Sequence, residues 1–134
     1  MRSATVICLT AAVMAPTALA APAAAAPSPG TTALRIVTFA DGSKPATRIV
    51  RWLRCDPPRG TLPRPAAACR ALARTGRATL LPVPADRACT ELYGGPQVAI
   101  VTGLVDDRRV WARLRRDDGC QIARWNRNRL LVAV

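Results

Sequence analysis

Cys55-Asp56-Pro57-Pro58-Arg59-Gly60-Thr61-Leu62-Pro63-Arg64-Pro65-Ala66-Ala67-Ala68-Cys69-Arg70-Ala71-Leu72 sets two cysteines around a proline-rich bend and the start of a helix. Asp56 to Pro63 holds too many prolines for a strand interior or a helix, because each removes a backbone donor. Pro65 suits the first turn of a helix, where its missing N–H is not needed. Ala66 to Ala73 then has high helix propensity, and Gly76 stops the run. On the other side of the bend, Thr47 to Cys55 reads as a strand. Its alternation puts Ile49, Leu53 and Cys55 on one face and Arg48, Trp52 and Arg54 on the other. The stretch therefore joins a strand to a helix, and a bond from Cys69 back to Cys55 would staple one onto the other.

Working outward, Leu34 to Ala40 alternates as a strand, with Leu34, Ile36 and Thr38 facing one way and Val37 and Phe39 the other. Asp41-Gly42-Ser43-Lys44-Pro45 has turn chemistry, so the first two strands form a hairpin. Pro82 and Pro84 make the approach to Cys89 irregular and extended. Gln97 to Gly103 is a strand suited to burial on both faces. Asp106-Asp107 is a turn, and Arg108 to Arg116 is the next strand, alternating Val110, Ala112 and Leu114 with Trp111, Arg113 and Arg115. Asp117 or Asp118 can cap a short helix, Gly119 to Asn126, that carries Cys120, Ile122 and Trp125. Leu130 to Val134 is the expected fifth strand. The predicted class is α+β: a five-stranded antiparallel sheet with two short helices on one side and two disulfides.

The N-terminus reads as an export signal over residues 1–20. Arg2 precedes an apolar run from Ala4 to Met14, and Ala18-Leu19-Ala20 has the small-x-small form of a cleavage site. Ala24-Ala25-Ala26 is a second candidate site, so the cut falls at residue 26 at the latest. The run is too short to span a bilayer comfortably. Residues 21–32, rich in Ala, Pro and Ser, form a flexible mature N-terminus, and 33–134 form one domain. Cleavage removes Cys8 and leaves four cysteines in an exported chain, which reads as two disulfides with three pairings open. With no histidine and no close Cys-x-x-Cys pair, no metal site or cofactor is predicted.

The net charge is +12, and Lys44 is the only lysine. Such a balance attracts acidic partners at long range. Export, few aromatics and the lack of a helix that concentrates the arginines argue against nucleic acid. Absence of histidine removes the imidazole base that a Ser or Cys nucleophile needs, and Ser3, Ser28 and Ser43 lie in the signal, the tail and a turn. Asp106-Asp107 and Asp117-Asp118 are turn and cap residues rather than an acid–base pair, since neighbours on a strand end point apart. Enzymatic function is not expected.

Cys55 to Leu72 resembles the signature of the Streptomyces subtilisin inhibitor family, C-x-P-x-x-G-T-x-P-x-P-x-x-A-C-x-x-L, at every fixed position. Cys89-Thr90-Glu91-Leu92-Tyr93 is similar to the family's reactive-site segment, and Gly119-Cys120-Gln121-Ile122 to its final cysteine region. The resemblance implies a secreted inhibitor of extracellular serine proteases, with disulfides Cys55–Cys69 and Cys89–Cys120, acting by the standard substrate-like mechanism. By position it makes Glu91–Leu92 the scissile bond, with Cys89, Thr90 and Glu91 as P3, P2 and P1 and Leu92 as P1′. Asp86, Arg87 and Ala88 would pair with the enzyme as a strand, and Tyr93 would complete the contact. Gly94, Gly95 and Pro96 form a turn that pins the far flank, one residue longer than the family's usual Tyr-Asp-Pro-Val. A loop-bracing Asn of relatives falls at Asp118. Most relatives carry Met, Leu, Lys or Arg at P1, so Glu91 points either to a Glu-preferring protease or to a broad subtilisin-like one. The resemblance further implies a homodimer through the outer sheet face, with Trp52 and Trp111 in contact. The alternative function is a non-inhibitory, basic secreted binding domain whose Arg48, Arg54, Arg113 and Arg115 meet an acidic protein or cell-envelope partner.

Overall fold

The computed structural model describes residues 30–132; the expected signal and most of the expected N-terminal tail lie outside the described residues. Five strands, β1 (Ala33–Phe39), β2 (Arg48–Cys55), β3 (Pro58–Gly60), β4 (Val98–Val105) and β5 (Arg108–Leu114), form one antiparallel sheet in the order β3-β2-β1-β4-β5. Two helices, α1 (Pro65–Thr75) and α2 (Gly119–Arg127), accompany it. Pro65 opens α1 and Gly76 closes it, with the Gly76 amide donating to the Leu72 carbonyl. The β4–β5 hairpin turns through Asp106 and Asp107, both at positive φ, as a two-residue turn matched to strand twist demands. Asp107 also accepts a hydrogen bond from the Thr31 amide, which ties the turn to the chain entering β1.

The fold class agrees with the sequence, but the fifth strand is a different one. Leu130 to Val132 form turns rather than a strand, their amides at Leu131 and Val132 bonding back to the Asn128 carbonyl. Leu131 and Val132 are buried in the core, so this apolar run is a plug, a use that hydrophobicity alone does not distinguish from a strand. The remaining residues 133 and 134 lie outside the described ones. The missing strand is Pro58–Gly60, inside the bend expected to be irregular. It pairs only with β2, at the sheet edge, where a proline at the strand's first residue costs no ladder bond.

One sheet face carries the core. Leu34, Ile36, Leu53, Ala99, Val101, Ala112 and Leu114 pack against Leu62, Ala68 and Leu72 around α1 and against Trp125 of α2. The Cys55–Cys69 disulfide joins the end of β2 to α1. Among the described residues no helix covers the outer face. Its register places Trp52, Arg35, Thr102 and Trp111 in one row across β2, β1, β4 and β5.

Candidate functional site

From Pro84 to Tyr93 every residue is exposed, with Leu92 at 60% and Tyr93 at 70%. Exposed large apolar side chains on a segment without helix or strand are not there for stability. What holds the segment is its flanks. On the N-terminal side Cys89 is bonded to Cys120 in the first turn of α2. Thr90 contributes its carbonyl, which accepts from the Gly119 amide at 2.9 Å and from the Leu92 amide at 2.9 Å. The second bond closes a tight turn around Glu91 and fixes the Glu91–Leu92 peptide in the free protein.

On the C-terminal side the Gly94 amide donates to the Arg116 carbonyl at 2.7 Å, and the Gly42 amide donates to the Pro96 carbonyl at 2.9 Å. Gly95 has φ +126°, a backbone state that side chains rarely permit. The Arg116 guanidinium donates to Gln97 Oε1 at 3.0 Å and lies 5.9 Å from the centre of the Trp125 ring. Thus Gly94 and Gly95 are built into a bonded turn. A Cβ at Gly119 would stand 2.0 Å from Thr90 Oγ1, so any larger residue there has to displace the Thr90 side chain.

The stem before the loop is anchored by buried polar side chains. Arg124 is 5% exposed and donates to the carbonyls of Arg113 and Leu80. Burial, then the nearby charges of Arg115 and Arg127, hold its guanidinium below the usual arginine range. Asn128, also buried, donates to the Thr79 and Arg124 carbonyls and accepts from the Thr79 hydroxyl. Between this stem and α2 lies an open groove of about 730 Å³ lined by Leu81, Val83, Arg87, Leu92, Ile122 and Arg127 among others.

The structure thus brings Cys89, Thr90, Glu91, Leu92 and Tyr93 together as one exposed turn, flanked by Gly94, Gly95 and Pro96. Two expected participants sit differently. Asp86 lies in a turn closed by the Arg87 amide on the Pro84 carbonyl, so the extended approach begins after it. Asp118 caps α2, accepting from the Gln121 amide at 2.8 Å, and reaches the loop through Gly119 rather than by its carboxylate. Arg116, Gln97, Gly119, Arg124 and Asn128 were not predicted as loop supports. Only Gly119, beside a disulfide cysteine, carried a local sign. Cys89, Cys120 and Asp118 cluster within 4.8 Å, but both sulfurs are in the disulfide, which leaves no thiolate to ligate a metal.

Residues 30–113 match the protein family described as subtilisin inhibitor-like. The chain belongs to that family. No curated protein matches it. The match takes in the Cys55–Leu72 signature and the exposed turn, and it stops before α2. Membership in the subtilisin inhibitor-like family makes protease inhibition, not catalysis, the general role. Among the described residues no helix is long and apolar enough to cross a membrane.

Proposed function

We propose that the exported protein, freed of its signal at residue 20 or by residue 26, inhibits an extracellular serine protease by offering Glu91–Leu92 as a substrate-like bond. The observation that carries this reading is the exposed turn around Glu91, fixed on both sides of that bond. Because the turn exists before binding, little chain entropy is lost when the enzyme closes on it. Ala88 to Thr90 meet the enzyme's substrate cleft on one side of the bond and Leu92 and Tyr93 on the other. Glu91 enters the specificity pocket.

The mechanism follows from the braces. The protease serine adds to the Glu91 carbonyl carbon, the C–N bond to Leu92 breaks, and the Leu92 nitrogen takes the proton that the enzyme's base received from serine. The new amine belongs to a segment tied at Gly94 to Arg116 and at Gly95 by its backbone, while the acyl half is tied through Cys89 to Cys120. Neither half leaves, so the amine returns the acyl group from serine to nitrogen faster than water removes it. No cofactor and no metal is needed.

Glu91 decides which enzyme is held. A carboxylate in an apolar pocket must be desolvated or protonated, at a cost of about a few kcal/mol, whereas a basic pocket welcomes it. We therefore assign the target to proteases that accept glutamate. The test titrates the protein against serine proteases with apolar, acidic and basic pockets, followed by mass spectrometry for a cut at Glu91–Leu92. Tight inhibition of the basic-pocket enzymes, weakened by Glu91→Gln, is expected. No inhibition of any of them, together with rapid cleavage elsewhere in the chain, overturns the proposal.

A further inference from the structure

The turn at Glu91 meets α2 on its acyl side through the Cys89–Cys120 bond and through the Gly119 amide, which donates to the Thr90 carbonyl. Its amine side is bonded at Gly94 to the Arg116 carbonyl. A second contact reaches Gly94 from α2. A Cβ at Gly94 would stand 2.8 Å from Ile122 Cγ1 and 2.9 Å from Ile122 Cδ1, so the Ile122 side chain packs against the Gly94 backbone in the space a Cβ would take. Ile122 is half-buried, stands apart from the hydrophobic core, and lines the groove beside Leu92. Its amide donates to the Asp118 carbonyl at 2.9 Å, which fixes it in the capped first turns of the helix. Cys120 and Ile122 are two residues apart, so their side chains leave the helix axis about 200° apart. One meets the acyl half of the turn and the other the amine half. The turn therefore straddles the start of α2, with Gly119 against Thr90 between the two contacts.

We infer that Ile122 is a positioning residue: a wedge on α2 that holds the amine half at Gly94, opposite the acyl half held at Cys89. The assignment rests on the inhibitory role proposed for the turn. Gly94 is two residues from Leu92, and two residues of chain reach at most about 7 Å. With Gly94 held against α2, a new amine at Leu92 stays within that reach of the acyl carbon. The Gly94–Arg116 bond alone can exchange its partner for water when the segment lifts. Two carbons in contact with the same backbone oppose the lift by shape and dispersion, with no donor to lose. Leu81 lines the same groove from the stem and is 50% exposed, which makes it a control for general loss of apolar surface there.

The test reads hydrogen exchange at the Gly94 amide of the exported protein, and the rate at which an equimolar glutamate-accepting serine protease cuts Glu91–Leu92. In Ile122→Ala both should rise about tenfold, while Val101 in β4 exchanges as before. Ile122→Val keeps Cγ1 and should recover most of both, whereas Leu81→Ala should change neither. Gly94→Ala should loosen the turn of the unsubstituted protein but tighten that of Ile122→Ala, where its methyl fills the vacated space, so the two changes are non-additive. Unchanged Gly94 exchange in Ile122→Ala, equal loosening by Leu81→Ala, or additive effects of Gly94→Ala and Ile122→Ala would overturn the wedge. An unsubstituted protein that inhibits no serine protease overturns the inhibitory role instead, and Gly94 exchange still decides whether Ile122 holds the turn.

Discussion

Replacing Cys89 and Cys120 together by alanine separates what the disulfide does for the loop from what it does for the domain, because the molecule contains its own control. The two bridges close sequence separations of 31 and 14 residues. In the loop-entropy model they stabilise by about 3.7 and 3 kcal/mol, a gap of only about 0.7 kcal/mol. Cys69 is buried, so its truncation adds a small cavity cost that narrows the gap further. The urea midpoints of Cys89→Ala/Cys120→Ala and Cys55→Ala/Cys69→Ala should therefore fall by similar amounts. Inhibition should not. Cys55–Cys69 ties β2 to α1, away from the exposed turn, whereas in the proposed mechanism Cys89–Cys120 is the tether of the acyl half. The remaining loop braces, Gly119 to Thr90 and Gly94 to Arg116, contribute about 1 kcal/mol each and cannot replace it. If between half and all of the lost 3.7 kcal/mol was ordering the turn, Ki rises by about 20- to 500-fold. The cut chain should also dissociate, turning an inhibitor into a substrate that mass spectrometry sees consumed. Equal changes in Ki for the two double variants, or a Cys89→Ala/Cys120→Ala protein that stays tight and uncut, would refute the claim that preorganisation of this turn carries inhibition.

Three further substitutions probe the supports. Gly95→Ala forces a side chain onto φ +126° beside Gln97, at a cost of about 1–3 kcal/mol, and should raise Ki about tenfold with faster cleavage in a timed digestion. Asp118→Asn keeps an oxygen to accept from the Gln121 amide and should leave Ki unchanged, while Asp118→Ala loses the cap and about 1 kcal/mol, read by urea unfolding. Asn128→Ala removes three hydrogen bonds in a buried site and leaves the Thr79 carbonyl unpaired, so stability should fall by about 2–3 kcal/mol in the same assay.

The sequence was most informative where a local rule settles the structure. Pro65 and Gly76 bound α1, Asp106-Asp107 make the hairpin turn, and alternation in β2 and β5 puts Trp52 and Trp111 on one face. Reading failed where two uses share one composition. Leu130-Leu131-Val132 is as apolar as a strand, but it follows α2 as a turn whose amides return to the Asn128 carbonyl and which buries Leu131 and Val132 in the core. Pro58-Arg59-Gly60 looks like a loop until the open edge of β2 gives it a ladder. The loop supports were hidden for another reason. Arg116, Arg124 and Asn128 are polar residues in a strongly basic chain, and nothing in their neighbours distinguishes a buried anchor from a solvated side chain. Their roles come from carbonyls contributed by residues 11 to 49 positions away.

That distribution bears on how the exposed turn is held. The matched region ends at residue 113, yet nearly every brace comes from after it: Arg116 holds Gly94 and Gln97, Gly119 holds Thr90, Cys120 holds Cys89, and Arg124 and Asn128 hold the stem. The turn itself can therefore lengthen by a glycine, provided the strand–helix junction that receives it offers a carbonyl at the right height. Arg116 does so because it lies two residues past the end of β5, with its side chain held by Gln97 and Trp125. By the same reasoning, the proposed inhibitor has no need of an amide at position 118. Bracing by the Gly119 amide needs a capped helix and no side chain, and an aspartate caps as well as an asparagine. In the proposed reading, specificity at Glu91 and rigidity around it belong to different segments, so a change at position 91 leaves the braces in place.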